Sequence, residues 1–166
     1  RHGIRILPGP SSMWFDATGK RLPAPLFPGS DTLGQLHYIM GTGYDYSWFI
    51  LTQSIIKKEF ALSGSEQNPD LTGRSWRMTI KRATNKGAPA PVEAFKEKGA
   101  DFIVRDNLAD LVAAMNALAG HDLLKHDHIK AQIEARDREM ANPYVKDAQV
   151  MNIHNARRYI GDKLIR

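Results

Sequence analysis

Cysteine does not occur in the 166 residues. Its absence excludes a disulfide framework, a thiolate zinc site and a cysteine nucleophile. No apolar run approaches the roughly 20 residues that a membrane-crossing helix needs. No secretory leader pattern stands at the start either, and the two absences together predict a soluble, cytoplasmic protein. A Gly-x-Gly-x-x-Gly turn is also missing. Gly41-Thr42-Gly43 lacks the third glycine and follows a predicted helix instead of opening one, so no dinucleotide-binding turn is expected. The nucleophile elbow Gly-x-Ser-x-Gly is absent too: Ser63-Gly64-Ser65 is the nearest approach and reads as a loop. His126 and His128 flank Asp127, where their side chains diverge on a helix with no third ligand nearby, and His121 reads the same way. No metal is expected.

Charge is present in both signs, with 23 Lys and Arg against 18 Asp and Glu and a net charge of +5. The positive residues run from Arg1 to Arg166, with local sets at Lys57-Lys58, Arg74 to Arg82 and Arg157-Arg158. Spread in this way they read as a solvated surface, and nucleic acid is not an expected partner. The length suits a single domain, 1–166, with a core of its own. The start at Arg1 and the helical look of Asp162-Lys163-Leu164-Ile165-Arg166 suggest a piece of something longer.

Short strands alternate with helical stretches. Residues 3–7 and 12–15 have extended patterns on either side of Pro8-Gly9-Pro10, and Asp16-Ala17-Thr18-Gly19 reads as a tight turn. Residues 22–29 are rich in proline and glycine and predict a loop. Asp31 is placed to cap a helix over residues 32–40, with Leu33, Leu36 and Tyr38 to Met40 as its buried side. Trp48-Phe49-Ile50-Leu51 predicts a buried strand, and helical spacing follows from Ser54 to Phe60. Residues 63–90 are the most irregular part of the chain. Pro91 opens a helix closed by Gly99, and Asp101-Phe102-Ile103-Val104 reads as another strand. Asn107 with Asp110 predicts a capped helix stopped by Gly120. Asp127 caps the next one, carrying Ile129, Ile133 and Met140, and Asp147 opens the last. Plentiful helices with short, scattered strands predict an α+β fold, a small sheet packed with several helices.

Candidate chemistry concentrates between residues 37 and 48. His37, Tyr38, Tyr44, Tyr46 and Trp48 are polar-tipped aromatics that can wall an apolar ligand while their hydroxyls place or move a proton; ordinary packing at a helix-to-strand corner is the competing reading. Arg5 and Arg21 stand beside apolar strand residues and Gly/Pro loops, where a guanidinium can hold a ligand carboxylate or a neighbouring domain.

Residues 13–22, Met-Trp-Phe-Asp-Ala-Thr-Gly-Lys-Arg-Leu, resemble the strand-turn segment ending in Gly-Lys-Arg-Phe of the fumarate reductase and 3-ketosteroid dehydrogenase flavoprotein superfamily. Residues 48–53 resemble a later strand of that superfamily ending in Phe-Asp-Gln, with Thr52 in place of the aspartate. Residues 99–111 resemble its Ala-Asp-Thr-Leu-Glu-Glu-Leu-Ala entry to a helix. Residues 123–142 resemble the helix that follows, with Ala135-Arg136-Asp137-Arg138 where a Tyr-Asn segment is usual. The likeness covers most of residues 1–150 and is strongest to bacterial proteins described as FAD-binding dehydrogenases.

The resemblance implies a capping domain that closes over flavin and substrate in an FAD-dependent dehydrogenase. It places FAD mainly on an FAD-binding domain of the same polypeptide absent from this chain, and the isolated fragment is then expected to be inactive. The substrate implied is small, apolar and carbonyl-bearing, of ketosteroid type. Tyr38, Tyr44 and Tyr46 are then the catalytic candidates, and Arg5, Arg21, His37 and Trp48 face substrate or flavin. Residues 23–30 carry neither the carboxylate nor the arginine proton donor of fumarate reductases, and Ile4-Arg5 stands where their threonine-glutamate pair would be, so fumarate reduction is not expected. The rival reading is a non-catalytic interaction module whose irregular 63–90 segment and basic surface recruit a protein or nucleic-acid partner. A free-standing ligand carrier is a third.

Overall fold

The fold is a computed structural model in which residues 9–59, 77, 87–88 and 90–158 are described. Two runs of bulky apolar residues, Met13–Asp16 (β1) and Ser47–Ile50 (β2), pair antiparallel with Met13 opposite Ile50, Trp14 opposite Phe49, Phe15 opposite Trp48 and Asp16 opposite Ser47. Because side chains alternate across a strand, this register sends Met13, Phe15, Trp48 and Ile50 to one side and Trp14, Asp16, Ser47 and Phe49 to the other. Both sides are covered, which explains why the apolar runs are continuous.

The first side carries the main core. Met13, Phe15, Val112, Met115, Leu124 and Ile129 are buried together there, with Trp48, Ile50 and Ile133 packed around them. The helices responsible are Leu108–Ala119 and His126–Glu139. On the second side, Trp14, Leu22 and Ile39 pack with Tyr38, Phe49 and Leu26 beneath the helix Thr32–Gly41 (α1). A third cluster of Ile56, Ala88 and Val92, with Leu51 and Phe102, joins the helices Gln53–Glu59 (α2) and Ala90–Lys98 (α3). In chain order the other helices among the described residues are Leu108–Ala119 (α4), His126–Glu139 (α5) and Ala148–Arg158 (α6). Helices on a small antiparallel sheet make this the expected α+β class. Among the described residues no helix is long and apolar enough to cross a membrane.

Local signals placed most boundaries. The Asp31 carboxylate accepts from Gly34 N at 3.0 Å, Asn107 accepts from Asp110 N at 2.9 Å, and Gly120 closes α4 in the left-handed region at φ 70°. The Asp147 carboxylate accepts from Val150 N at 3.0 Å at the start of α6.

Three expectations are corrected. The buried side of α1 is Gln35 and Ile39 with Tyr38 half-buried, whereas Leu33 is 64%, Leu36 49% and Met40 75% exposed. Apolar residues occur all round this helix, so periodicity offered two stripes and the sheet took the other one. Residues 101–104 form no strand: Phe102 and Ile103 plug into two different clusters and find no neighbouring strand. The helix α5 begins one residue before Asp127, on Lys125 with no side-chain cap, and Asp127 sits in the first turn. The strand expected over residues 3–7, most of the 63–90 segment and the last helix beyond Arg158 lie outside the described residues.

Candidate functional site

The edge of β1 away from β2 would expose unpaired carbonyls and amides, and the chain satisfies them with the backbone that returns after the turn, which side chains then fasten. Asp16 N donates to Lys20 O at 2.9 Å and Leu22 N to Trp14 O at 3.0 Å, so the chain folds back on itself after the turn. Gln132 clamps that return with both ends of its amide. Its Nε2 donates to Gly19 O at 2.8 Å and its Oε1 accepts from Arg21 N at 2.8 Å. Upstream, Arg136 Nη1 donates to Ser11 O at 2.9 Å, and Gln149 Nε2 donates to Pro10 O at 2.8 Å and Ser12 O at 2.6 Å.

Arg21, expected to face a ligand or a neighbouring domain, is engaged within this network. Its guanidinium makes a two-pronged bond with Asp147 at 2.8 and 3.1 Å and reaches Gln149 Oε1 at 2.7 Å. Burial pushes the Asp147 carboxyl up. The hydrogen bond from Arg21, the Val150 amide and the Arg21 charge outweigh it, so the net pKa lies below the usual aspartate value. The pair borders a pocket of about 200 Å³ walled by Leu22, Pro23, Leu26 and Phe27. A second pocket, of about 230 Å³, lies between Ser11, Ile55, Arg136 and Arg157.

The aromatic candidates divide across the sheet. Tyr44, Tyr46 and Trp48 fall two residues apart and form an edge-to-face ladder, with ring centroids 6.0 Å and 5.5 Å apart. The Trp48 ring packs against the main core, and its Nε1 is buried without a hydrogen-bond partner. Burial first, then Tyr44 and the Asp45 carboxylate, raise the Tyr46 pKa. Tyr38 is elsewhere: it packs on the Trp14 and Phe49 side, where burial, the charge of Asp16 and a hydrogen bond to Asp16 raise its pKa. The structure therefore does not bring the three tyrosines together. His37 is exposed on the outer surface of α1, apart from the ladder. Arg5 lies outside the described residues.

Sequence reasoning passed over Asp16, Gln132 and Gln149. Asp16 was read as a turn residue, yet it is 4% exposed and accepts from Thr18 N at 2.9 Å, Thr18 Oγ1 at 2.7 Å and Lys20 N at 3.1 Å. The two glutamines carry no local signal, since a glutamine on a helix reads as a surface residue. Among the described residues no three histidine or carboxylate side chains gather as a metal site would require.

Comparison with known proteins supplies the context. The chain is 56% identical over 163 residues to a KsdD-like steroid dehydrogenase of Mycobacterium tuberculosis, a match covering 98% of this chain and 29% of that protein. A protein of the same name from a second strain is 55% identical over the same span, and one from Mycolicibacterium smegmatis is 56% identical over 165 residues, 99% of this chain and 30% of its own. The chain thus spans under a third of the length of the curated relatives it matches. No solved structure matches.

A family model described as the FAD binding domain matches residues 1–165. That match overturns the expectation that FAD is carried mainly by a domain absent from this chain. The expectation rested on the resemblance to a capping domain together with the missing glycine fingerprint, but a cofactor as long as FAD touches several segments, and the fingerprint marks only the one beneath the pyrophosphate. The match is also to the FAD binding domain and not to a capping domain. With the model covering nearly every residue, FAD binding falls on this chain, and the chain belongs to the FAD binding domain family.

Proposed function

We propose that this chain is the substrate-side part of a longer FAD-dependent dehydrogenase acting on a steroid-like ketone. In this reading residues 1–166 form one folded unit that also covers the flavin as a cap. The observation that carries it is the identity of 55–56% across 98–99% of the chain to proteins named KsdD-like steroid dehydrogenases. The ladder supports it: two phenol hydroxyls on edge-to-face aromatic rings form a donor set suited to a flat, apolar ring system with carbonyl acceptors, which describes both a flavin ring and a ketosteroid. Bound FAD supplies the hydride acceptor.

The chain's own residues would orient the ring system and hold a proton at its carbonyl. Tyr46 is protonated at neutral pH as an ordinary phenol is, and the upward shift of its pKa only reinforces this, so it suits hydrogen-bond donation to a carbonyl oxygen. Tyr38, tied to Asp16 on the other side of the sheet, is a supporting residue in this reading.

The test uses the full-length protein. It should carry FAD, seen as a visible flavin band released on denaturation, and a 3-ketosteroid should bleach that band without oxygen. Tyr44→Phe or Tyr46→Phe should slow bleaching by about 100-fold, and Tyr38→Phe by no more than about 3-fold, given what positioned acids usually contribute. A colourless protein, or equal rates in the Tyr44 and Tyr46 variants and the parent, would reject the reading.

A further inference from the structure

Between Asp31 and Asp45 no residue carries a formal charge, although 25% of the chain is charged. The helix α1 lies wholly inside that stretch, and each other described helix carries at least one charged residue. Its inner side rests on the sheet through Gln35, Tyr38 and Ile39. Leu33, Leu36 and Met40 recur at helical spacing on the opposite side, 64%, 49% and 75% exposed. A surface helix normally turns polar or charged residues outward, whereas this outer face offers three large apolar residues with His37 beside them. Gly41 adds a second observation. Glycine weakens a helix, yet a Cβ there would meet nothing within 4 Å, so no packing among the described residues calls for it. Its bare backbone suits a close approach from outside.

We infer that the outer face of α1 is an internal interface, covered by the remainder of the full-length polypeptide through an uncharged, apolar contact. The relatives are more than three times as long as the matched span, so a polypeptide of their length would have ample chain to cover it. A small ligand fits the face less well. Ligand sites are concave, whereas this is the convex side of a helix, and neither pocket bordered by Arg21 or Arg136 includes residue 33, 36 or 40. The inference rests on the reading of this chain as part of a longer polypeptide, though not on the reaction assigned to it.

The absence of cysteine from these 166 residues makes the test direct. Leu36→Cys and Met40→Cys are introduced separately into the full-length protein, and maleimide labelling of each site is followed by peptide mass spectrometry, folded and in urea. The expected result is labelling slower by about 100-fold or more in the folded protein, at every protein concentration and without steroid, as for a site exposed only on local opening. Labelling at both sites within about 3-fold of the urea rate would overturn the inference, because protection would then be absent. Protection that grows with protein concentration would assign the face to a second copy. Protection that appears only with added 3-ketosteroid would assign it to ligand, and either result overturns the internal interface.

Discussion

Gln149 is 2% exposed and makes three hydrogen bonds at once, donating to Pro10 O and Ser12 O and accepting from Arg21. Gln149→Leu keeps the bulk but strands two buried carbonyls and a guanidinium N–H. Each unpaired buried group costs about 1–3 kcal/mol, so the variant should lose about 3 kcal/mol or more, measured by urea unfolding. The neighbouring Arg21–Asp147 pair should make stability pH-dependent. The folded-state pKa of Asp147 is depressed, so the pair's contribution is complete above the ordinary aspartate value of about 4 and is lost as pH falls through the lower folded value. The urea midpoint should therefore drop on acidification, and Asp147→Asn should flatten that drop. An unchanged acid limb would show that other carboxylates govern it.

Individual helices and turns were largely legible because their signals are local. As helix-end residues, Asp31, Asn107, Gly120 and Asp147 each bond a backbone group no more than four residues away, and each performs the capping or stopping role that its residue type suggests. The turn after β1 is equally local: Gly19 sits at φ 80°, and Asp16 gathers the Thr18 and Lys20 amides. Gly19→Ala combines a left-handed backbone with a Cβ 3.1 Å from Leu124 Cδ2, so it should destabilise the protein by about 1–3 kcal/mol, read as a lowered Tm. The inner face of α1 was not legible. Gln35 is fully buried and donates to Ser30 Oγ at 3.1 Å, while three large apolar residues face outward. Hydrophobicity alone points the helix the wrong way.

At the scale of the whole fold, the described residues build on a two-stranded sheet with packing on both sides. Phe15 is 0% exposed at the centre of the main core. Phe15→Ala should cost about 3–5 kcal/mol in the unfolding free energy, and a loss under about 1 kcal/mol would mean that the α4 and α5 side of the sheet is not the main core. The aromatic candidates show where local reading stops. Tyr38, Tyr44 and Tyr46 are close in the chain, but Tyr38 on α1 packs on one side of the sheet, whereas Tyr44 and Tyr46, in the segment before β2, form the ladder with Trp48, whose ring packs on the other. The cofactor is a similar case. A missing glycine fingerprint excluded one kind of phosphate contact, yet the FAD binding domain match spans residues 1–165.

The primary structure settles where α1 and α4 start, where the turn after β1 falls and that the fold is α+β, because caps, glycines and periodicity act over a few residues. It leaves open which side of a two-sided helix is buried and which polar groups are partners. Arg21 and Asp147 lie 126 positions apart, and Gln132 meets Gly19 across 113. Such pairs form only once the helices have packed on the sheet, because the return segment after β1 has polar groups whose partners stand more than a hundred positions away in the chain.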